Sequence, residues 1–509
     1  MTEPPKIAQK QQSIAQVHYN ARMVIGQTQG AEAGRLVLAD GGNAVDAAVT
    51  AALVAGVVAL PSCGIGGYGG AMVIAMATGK VTAIDFNTVA PSRPPSRPHL
   101  HGWLSAGVPG ILAGLDMALH RFGTRSFRQC VEPAIRYAEE GFALNASAAN
   151  AIRAAAERFR SDAGSAKLYL KDGQPLPEGA RFRNPDLGRM LAHLAKDNST
   201  EAFYRGAIAR RIAQGFAGNS GAVTEKDFHD YEAREVQPLR VKLGEYTLCT
   251  APLTAGGATT LQALAALAGV KREDPARWLH ARAEALRLAW QDRLALFGDP
   301  DYVKVPLDRL LSLETAKEAA KRIHAAVEKK QPIELPERRA AARGTIHLSA
   351  ADSFGNMVAL TLTHGDGFGA CVTVDGLGLT LGHGMSRFED LPGHPNAIGP
   401  SKRPLHNMCP TVVLRGRTPL LAVGGTGGRR IPNAVFDMLV SRLIEGLPLK
   451  EAAAAPRMNT TGGLALTLNA TWTDEQAAAL GRIGFKVERG PAATIQAVEV
   501  GERVEMAAG

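Results

Sequence analysis

The stretch "RAAARGTIHLSAADSFGNMVALTLTHGDGFG", residues 339–369, changes character at Gly344. Before it runs a basic, alanine-rich tether. After it, residues 346–350 read Ile, His, Leu, Ser, Ala, "DSFGN" offers a turn, and Val358, Leu360 and Leu362 resume a period of two. That pattern predicts a β-hairpin. A Gly-Thr pair at the mouth of a strand is unremarkable by itself, because threonine favours strands, so the rest of the chain decides whether Thr345 does more.

Working outward, "HAAVEKKQPIELPERRAAARG" (324–344) has two prolines, many charges and little apolar periodicity. It is expected to be an exposed linker, about 325–344. After Thr345 the chain turns β-rich, with strands near 345–363, 371–381 and 410–423, then helices near 433–455 and 474–484. Upstream, from about Gly110 to His324, helical patterns dominate, as in "ARWLHARAEALRLAWQDRLALF". Nearer the start, "DGGNAVDAA" marks a helix entry, with Asn43 placed to cap and Asp46 in the first turn. "PSCGIGGYGGAMVIAMATGKVTAIDFN" then gives a glycine-rich loop and two strands joined at "TGK". Its glycine spacing does not match a phosphate loop.

The chain has 509 residues, 46% apolar and 21% charged, which is ordinary for a soluble globular protein and excludes disorder as its main state. The N-terminus carries neither a secretory nor a lipidation signal, so a cytoplasmic setting is expected. Ala44–Leu60 is apolar but alanine-rich, short for a span and interrupted by Asp46, so it is read as a buried helix and no membrane association is expected. Five scattered cysteines without a CxxC argue against disulfides and structural zinc. The net charge of +9 is interspersed and aromatics are only 5%, so nucleic acid is not an expected partner.

Nucleophilic catalysis needs an activating base and donors at the oxyanion. There is no GxSxG elbow and no HExxH. His364, His383, His394 and His406 near Asp366 fit no metal-ligand spacing, so no metal is expected. A threonine can instead be activated by its own α-amino group once the preceding bond is cut, since an α-amine has a pKa of roughly 8 and lies a few atoms from the hydroxyl. Thr345 after its tether suits that role.

At this point eight blocks, taken together in order, resemble the γ-glutamyltransferase branch of the N-terminal nucleophile hydrolases. They are "DGGNAVDAA" (40–48), "GIGGYGG" (64–70), "SAGVPG" (105–110), "APLTAGG" (251–257), "DRLALFGDPDY" (292–302), "GTIHLSAADSFGNMVALT" (344–361), "NAIGPSKRPLHNMCPT" (396–411) and "VGGTGGRRIPNAV" (423–435). The resemblance implies an α+β fold, a four-layer αββα sandwich made from one self-cleaved precursor, and a chemistry that needs no metal or organic cofactor. Cleavage falls between Gly344 and Thr345, leaving a large subunit 1–344 and a small subunit 345–509 as partners, with a homo-oligomer of such heterodimers compatible with the family. The tether would strain and expose the scissile bond. Carried over residue by residue, the nucleophile falls on Thr345, the threonine that hydrogen-bonds it on Thr363, and the oxyanion amides on Gly427 and Gly428.

The family's grip on a free glutamyl end is absent. "IDFNTVAP" puts Asn87 at its arginine position, "RPLHNMCPT" puts His406 and Asn407 at its serines, and "THGDGFG" puts Gly365 at its asparagine, flanked by His364 and Asp366. "GLTLGHGMSRFE" puts Gly384 and Arg387 at its glutamine and aspartate. An arginine for an aspartate inverts a charge: like charges about 4 Å apart repel by roughly 4 kcal/mol at an effective dielectric near 20. An α-ammonium should be rejected and a carboxylate accepted. "FEDLPGHPN" (388–396) is also short where lidded members carry a lid, which favours hydrolysis. The expected function is an amidohydrolase acting on a small amide with a carboxylate or polar carbonyl on its acyl side. That is similar to the oxamate amidohydrolase and cephalosporin acylase members. Three alternatives stand beside it: a γ-glutamyl hydrolase or transferase with different glutamate contacts, a non-catalytic binding protein on the same scaffold, and a metal hydrolase using His364, Asp366, His383 and His406.

Overall fold

The computed structural model describes residues 22–272, 274–336, 345–501 and 504–509. Twelve strands form two six-stranded sheets. They are β1 (Met23–Ile25), β2 (Gly69–Ala75), β3 (Val81–Asp85), β4 (Arg234–Val236), β5 (Leu239–Leu243), β6 (Tyr246–Thr250), β7 (Ile346–Ala351), β8 (Met357–Thr363), β9 (Thr411–Arg415), β10 (Thr418–Thr426), β11 (Thr494–Val500) and β12 (Val504–Ala508). The first sheet has the order β1-β7-β8-β2-β3-β4 and the second β12-β11-β10-β9-β6-β5.

Alternation along the strands builds the layers. In the hairpin β7–β8, Ile346, Leu348, Ala350, Val358, Leu360 and Leu362 pack into one core with the buried helix Ala44–Val58. Ala351, Met357 and Ala359, on the opposite face, meet Val412, Ala422 and Val498 of the second sheet in an alanine-rich core between the sheets. Val413, Leu421 and Val423 then face a third core with the helices Gly257–Ala268, Pro275–Leu296 and Ile431–Leu439. Helix, sheet, sheet, helix is the expected αββα sandwich.

The helix Ala44–Val58 is buried on all sides. It starts where expected: Asn43 Oδ1 accepts from the amides of Val45 and Asp46 at 2.8 and 3.0 Å, and Asp46 Oδ2 accepts from Asn43 N at 2.8 Å. Among the described residues no helix is long and apolar enough to cross a membrane. All five cysteines are buried and free.

Three expectations change. The linker begins later, because the helix Leu313–Lys329 runs through its first residues and Lys330 ends it in a left-handed conformation. Residues 331–336 are also anchored, with Ile333 and Leu335 packed on the third core, while 337–344 lie outside the described residues. Within the helix-dominated span, β4, β5 and β6 complete the sheets. Each is at most five residues long, and a period of two over so few positions does not stand out between long helices. The strands near 371–381 reduce to a two-residue pair, Thr373–Val374 with Leu379–Thr380.

Candidate active site

Register sets the centre of the site. Ile346 pairs with Leu362 across the β7–β8 ladder, so the same register carried one residue outward sets Thr345 across from Thr363. Directly opposed residues share a face, and here it is the face between the sheets, with His347, Ser349 and Thr361 next in line. Thr345 is 4% exposed and Thr363 fully buried. On that face His347 bonds Thr361 Oγ1 through Nδ1 at 2.7 Å and Ser349 Oγ through Nε2 at 2.9 Å. The ring leaves no room above it: a Cβ on Gly424 of β10 would lie 2.3 Å from His347 Cε1.

β10 is followed by Gly427 and Gly428, whose φ angles of 144° and 65° favour glycine. The chain then enters a short 3-10 turn, Gly428–Arg430, and the helix Ile431–Leu439. Amides at such a helix entry are suited to a developing negative charge. A cleft of about 540 Å³ opens beside them, lined by Gly427, Arg429, Arg430, Asn459, Thr460 and, from beyond Thr363, Asp366.

A second, narrower cavity of about 70 Å³ shares Arg429 with that cleft and is lined also by Arg293, Arg387, Glu389 and Asn407. Arg387 Nη2 donates to Gly365 O at 2.8 Å and lies 3.1 Å from His383 Nε2. His383 Nδ1 is 2.8 Å from the carbonyl of Leu100, which can only accept. Nδ1 therefore carries the ring proton and Nε2 accepts from Arg387. Burial holds His383 neutral, its pKa pushed down to about 3.

Arg293 is 4% exposed, with Nη2 donating to His406 O at 2.9 Å and Asn407 Oδ1 at 3.1 Å. Burial pushes the pKa of Arg293 down to about 10; burial and then the neighbouring Arg387 charge do the same to Arg429. Arg293 Nη1, Arg387 Nε and Arg429 Nε are all buried without a hydrogen-bond partner. The side chains of Arg293, Arg387 and Arg429 thus line one small cavity together with the single carboxylate of Glu389.

Neither Arg293 nor Arg429 was singled out from the sequence. Both lie inside blocks quoted above, "DRLALFGDPDY" and "VGGTGGRRIPNAV", but no local pattern says which way their side chains point. Two expected substrate contacts are corrected. Asn87 is fully buried and spent on the fold: Nδ2 donates to Thr254 Oγ1 at 2.8 Å and Pro404 O at 2.7 Å, and Oδ1 accepts from Thr88 N at 2.9 Å. His364 turns away from the cleft, its ring packed where a Cβ on Gly64 would stand 2.2 Å from Nε2, beside a void of about 20 Å³ with Tyr169 and Asn184. Gly365 acts through its backbone: its N donates to Thr363 Oγ1 at 2.7 Å and its carbonyl holds Arg387. The His406 ring is 1% exposed with neither nitrogen bonded, and burial pushes its pKa down to about 3. Gly344 lies outside the described residues. Among the described residues no three His, Cys, Asp or Glu side chains form a group able to hold a metal.

Residues 30–509 match the γ-glutamyltranspeptidase family model. A glutathione hydrolase proenzyme of Pseudomonas sp. (strain A14) is 33% identical over 473 residues, covering 86% of this chain and 81% of the relative. An acylase ACY 1 proenzyme of Pseudomonas sp. (strain V22) is 32% identical over 483 residues, covering 90% and 86%. The structure is also similar to that of a cephalosporin acylase from Bacillus halodurans, with a TM-score of 0.88 at 26% identity over 100% of this chain and 99% of that one. A family match running from residue 30 through the last strand, on the same four-layer fold, makes this chain a member of the γ-glutamyltranspeptidase family and a self-processing N-terminal nucleophile amidohydrolase of that kind.

Proposed function

We propose that the enzyme hydrolyses a small amide whose acyl side ends in a carboxylate and carries no α-ammonium. The observation that supports this is the meeting of the Arg293, Arg387 and Arg429 side chains around one cavity, each carrying a buried N–H without a partner. Buried donors without partners are costly, and a carboxylate has the acceptor geometry that guanidinium matches.

In the proposed mechanism, cleavage at Gly344–Thr345 frees the Thr345 α-amine. Thr345 Oγ attacks the amide carbon while its proton passes to that amine, and the carbonyl oxygen becomes an oxyanion facing the Gly427 and Gly428 amides. The C–N bond breaks, and the departing nitrogen takes the proton back. Water then attacks the resulting ester by the same route, releasing the acid and restoring Thr345. Thr363 positions the nucleophile, Arg387 and Asn407 bound the acyl pocket, and Asp366 lies on the amine side. The subunits 1–344 and 345–509 stay together through the shared sheets. The free, buried cysteines support a reducing, cytoplasmic setting.

The relatives named as glutathione hydrolases motivate a second reading, a γ-glutamyl hydrolase, and Glu389 is the observation in its favour: it is a carboxylate in the same cavity, able to meet an α-ammonium. Turnover of glutaryl-p-nitroanilide against γ-glutamyl-p-nitroanilide separates the two, because the substrates differ only in that ammonium. The first reading expects the glutaryl compound to be preferred at least tenfold and to lose its preference in Arg387→Ala. A preference for the γ-glutamyl compound that survives Arg387→Ala would replace it with the second.

A further inference from the structure

Three side chains on one stretch of the helix Pro275–Leu296 hold together two segments that belong to different subunits after processing. Glu284 is fully buried and Arg287 1% exposed. Arg287 Nη1 donates to both Glu284 oxygens at 2.7 Å. The pair reaches the end of the large subunit, with Ile333 N donating to Glu284 Oε1 at 3.0 Å and Arg287 Nη2 donating to Ile333 O at 3.1 Å. It also reaches the small subunit, with Arg287 Nε donating to Gly463 O at 2.9 Å. One turn further along, Gln291 Nε2 repeats the bridge, donating to Pro336 O at 2.7 Å and Gly462 O at 3.2 Å.

Both clamped segments lead into the site. Pro336 is the last described residue before Thr345 and lies nine residues upstream of it. The turn containing Gly462 and Gly463 begins at Thr460 and Thr461, which wall the 540 Å³ cleft beside Gly427. Thr460 is tied to the clamp through Gly462 N, which donates to its Oγ1 at 3.3 Å, and to the helix after the oxyanion loop through Asn433 Nδ2, which donates to its carbonyl at 2.8 Å. The arginine-lined acyl pocket is bounded by other residues.

Resting on the reading of Thr345 as the self-processed nucleophile, we infer that Arg287 and Gln291 are positioning residues: they fix the tether for self-cleavage and the amine-side wall of the cleft for substrate. Loosening the clamp therefore slows processing and weakens recognition of the amine while leaving recognition of the carboxylated acyl group alone.

The test uses full-length wild type, Gln291→Met, which keeps the side-chain length and removes the donor, and Arg287→Lys, which keeps a cation beside Glu284 but cannot span both carbonyls. Processing is timed by intact mass. On processed protein, KM is measured for glutaryl amides of a small and a bulky amine, with free glutarate as competitive inhibitor. We expect processing slowed fivefold or more and KM for the bulky amide raised five- to tenfold, with kcat and the glutarate Ki within twofold of wild type. Unchanged processing and KM in both variants overturn the inference while leaving the nucleophile reading intact. A glutarate Ki that rises as much as KM, or variants that do not fold, also overturn it, because the clamp would then be general scaffolding. A wild-type chain that stays uncut overturns the nucleophile reading itself, and this inference with it.

Discussion

Arg387 donates from Nη2 to the carbonyl oxygen of Gly365 at 2.8 Å, and the amide of that same residue donates to Thr363 Oγ1 at 2.7 Å. One residue, Gly365, therefore links the Arg387 guanidinium to the threonine opposite Thr345. Removing the acceptor with Thr363→Val leaves a buried N–H unpaired, at a cost of about 1–3 kcal/mol. We expect a matching fall in unfolding free energy, slower self-cleavage, and a weaker glutarate Ki. Thr363→Ser, which keeps the acceptor, should restore all three, as urea unfolding and steady-state kinetics would show.

Arg429 is held below its usual pKa by burial and by the neighbouring Arg387 charge, with an Nε that bonds nothing. Arg429→Met should raise the melting temperature of the free enzyme, because an uncompensated charge is removed. The same change should lower kcat/KM for glutaryl amides by about 10- to 100-fold, the worth of a charge-assisted contact. Amides with neutral acyl groups serve as the control, and an equal loss for them would sink the anion-pocket assignment.

Burial pushes His347, His364, His383 and His406 all down to about pKa 3. An unfolded histidine titrates near 6.5, so between about pH 6.5 and 3 the unfolded chain binds protons that the folded chain does not. Stability contributed by these rings is full above about pH 6.5 and is lost as pH falls toward 3, with a slope of about 1.4 kcal/mol per pH unit for each ring. Calorimetric melting from pH 7.5 to 4.5 should show a steep fall, and the slope should lessen in His364→Asn.

Gly424 and His347 occupy one space between the sheets, with a Cβ at 424 falling 2.3 Å from the imidazole. Gly424→Ala should therefore lift β10 from β7, shifting the Gly427–Gly428 loop away from Thr345 and cutting kcat far more than KM. His347→Ala in the same chain removes the ring and should recover part of the loss. No recovery in the double variant would show that the clash is not the cause.

Asn87 joins three segments through Thr254, Pro404 and Thr88. Asn87→Ala should cost about 2–4 kcal/mol of stability through orphaned buried partners, measured by denaturant unfolding, while KM for glutaryl amides stays within twofold. A large KM change at wild-type stability would return Asn87 to the substrate pocket.

Much of this protein was legible along the chain. The hairpin that begins after Thr345, the Asn43 cap and the strands around "TGK" follow from periods of two and 3.6 and from local capping, which depend only on near neighbours. Thr345, Thr363, Gly427 and Gly428 could be named because ordered blocks carry them, and a register of paired strands then sets Thr345 across from Thr363. The short strands β4 to β6 were not legible, since their pairing energy comes from partners far away in sequence.

The pocket belongs to the tertiary structure. Asn87, His364, Arg293 and Arg429 all lie in or beside informative blocks, yet the first two are spent on the scaffold and the last two face the cavity. Which way a side chain points is decided by packing and by the distant groups that meet its donors: Pro404 for Asn87, Gly64 for His364, His406 and Asn407 for Arg293. Residue type and spacing determined the chemistry this chain carries, whereas the convergence of three guanidiniums from positions 293, 387 and 429 arises only once two sheets and their helices close around them.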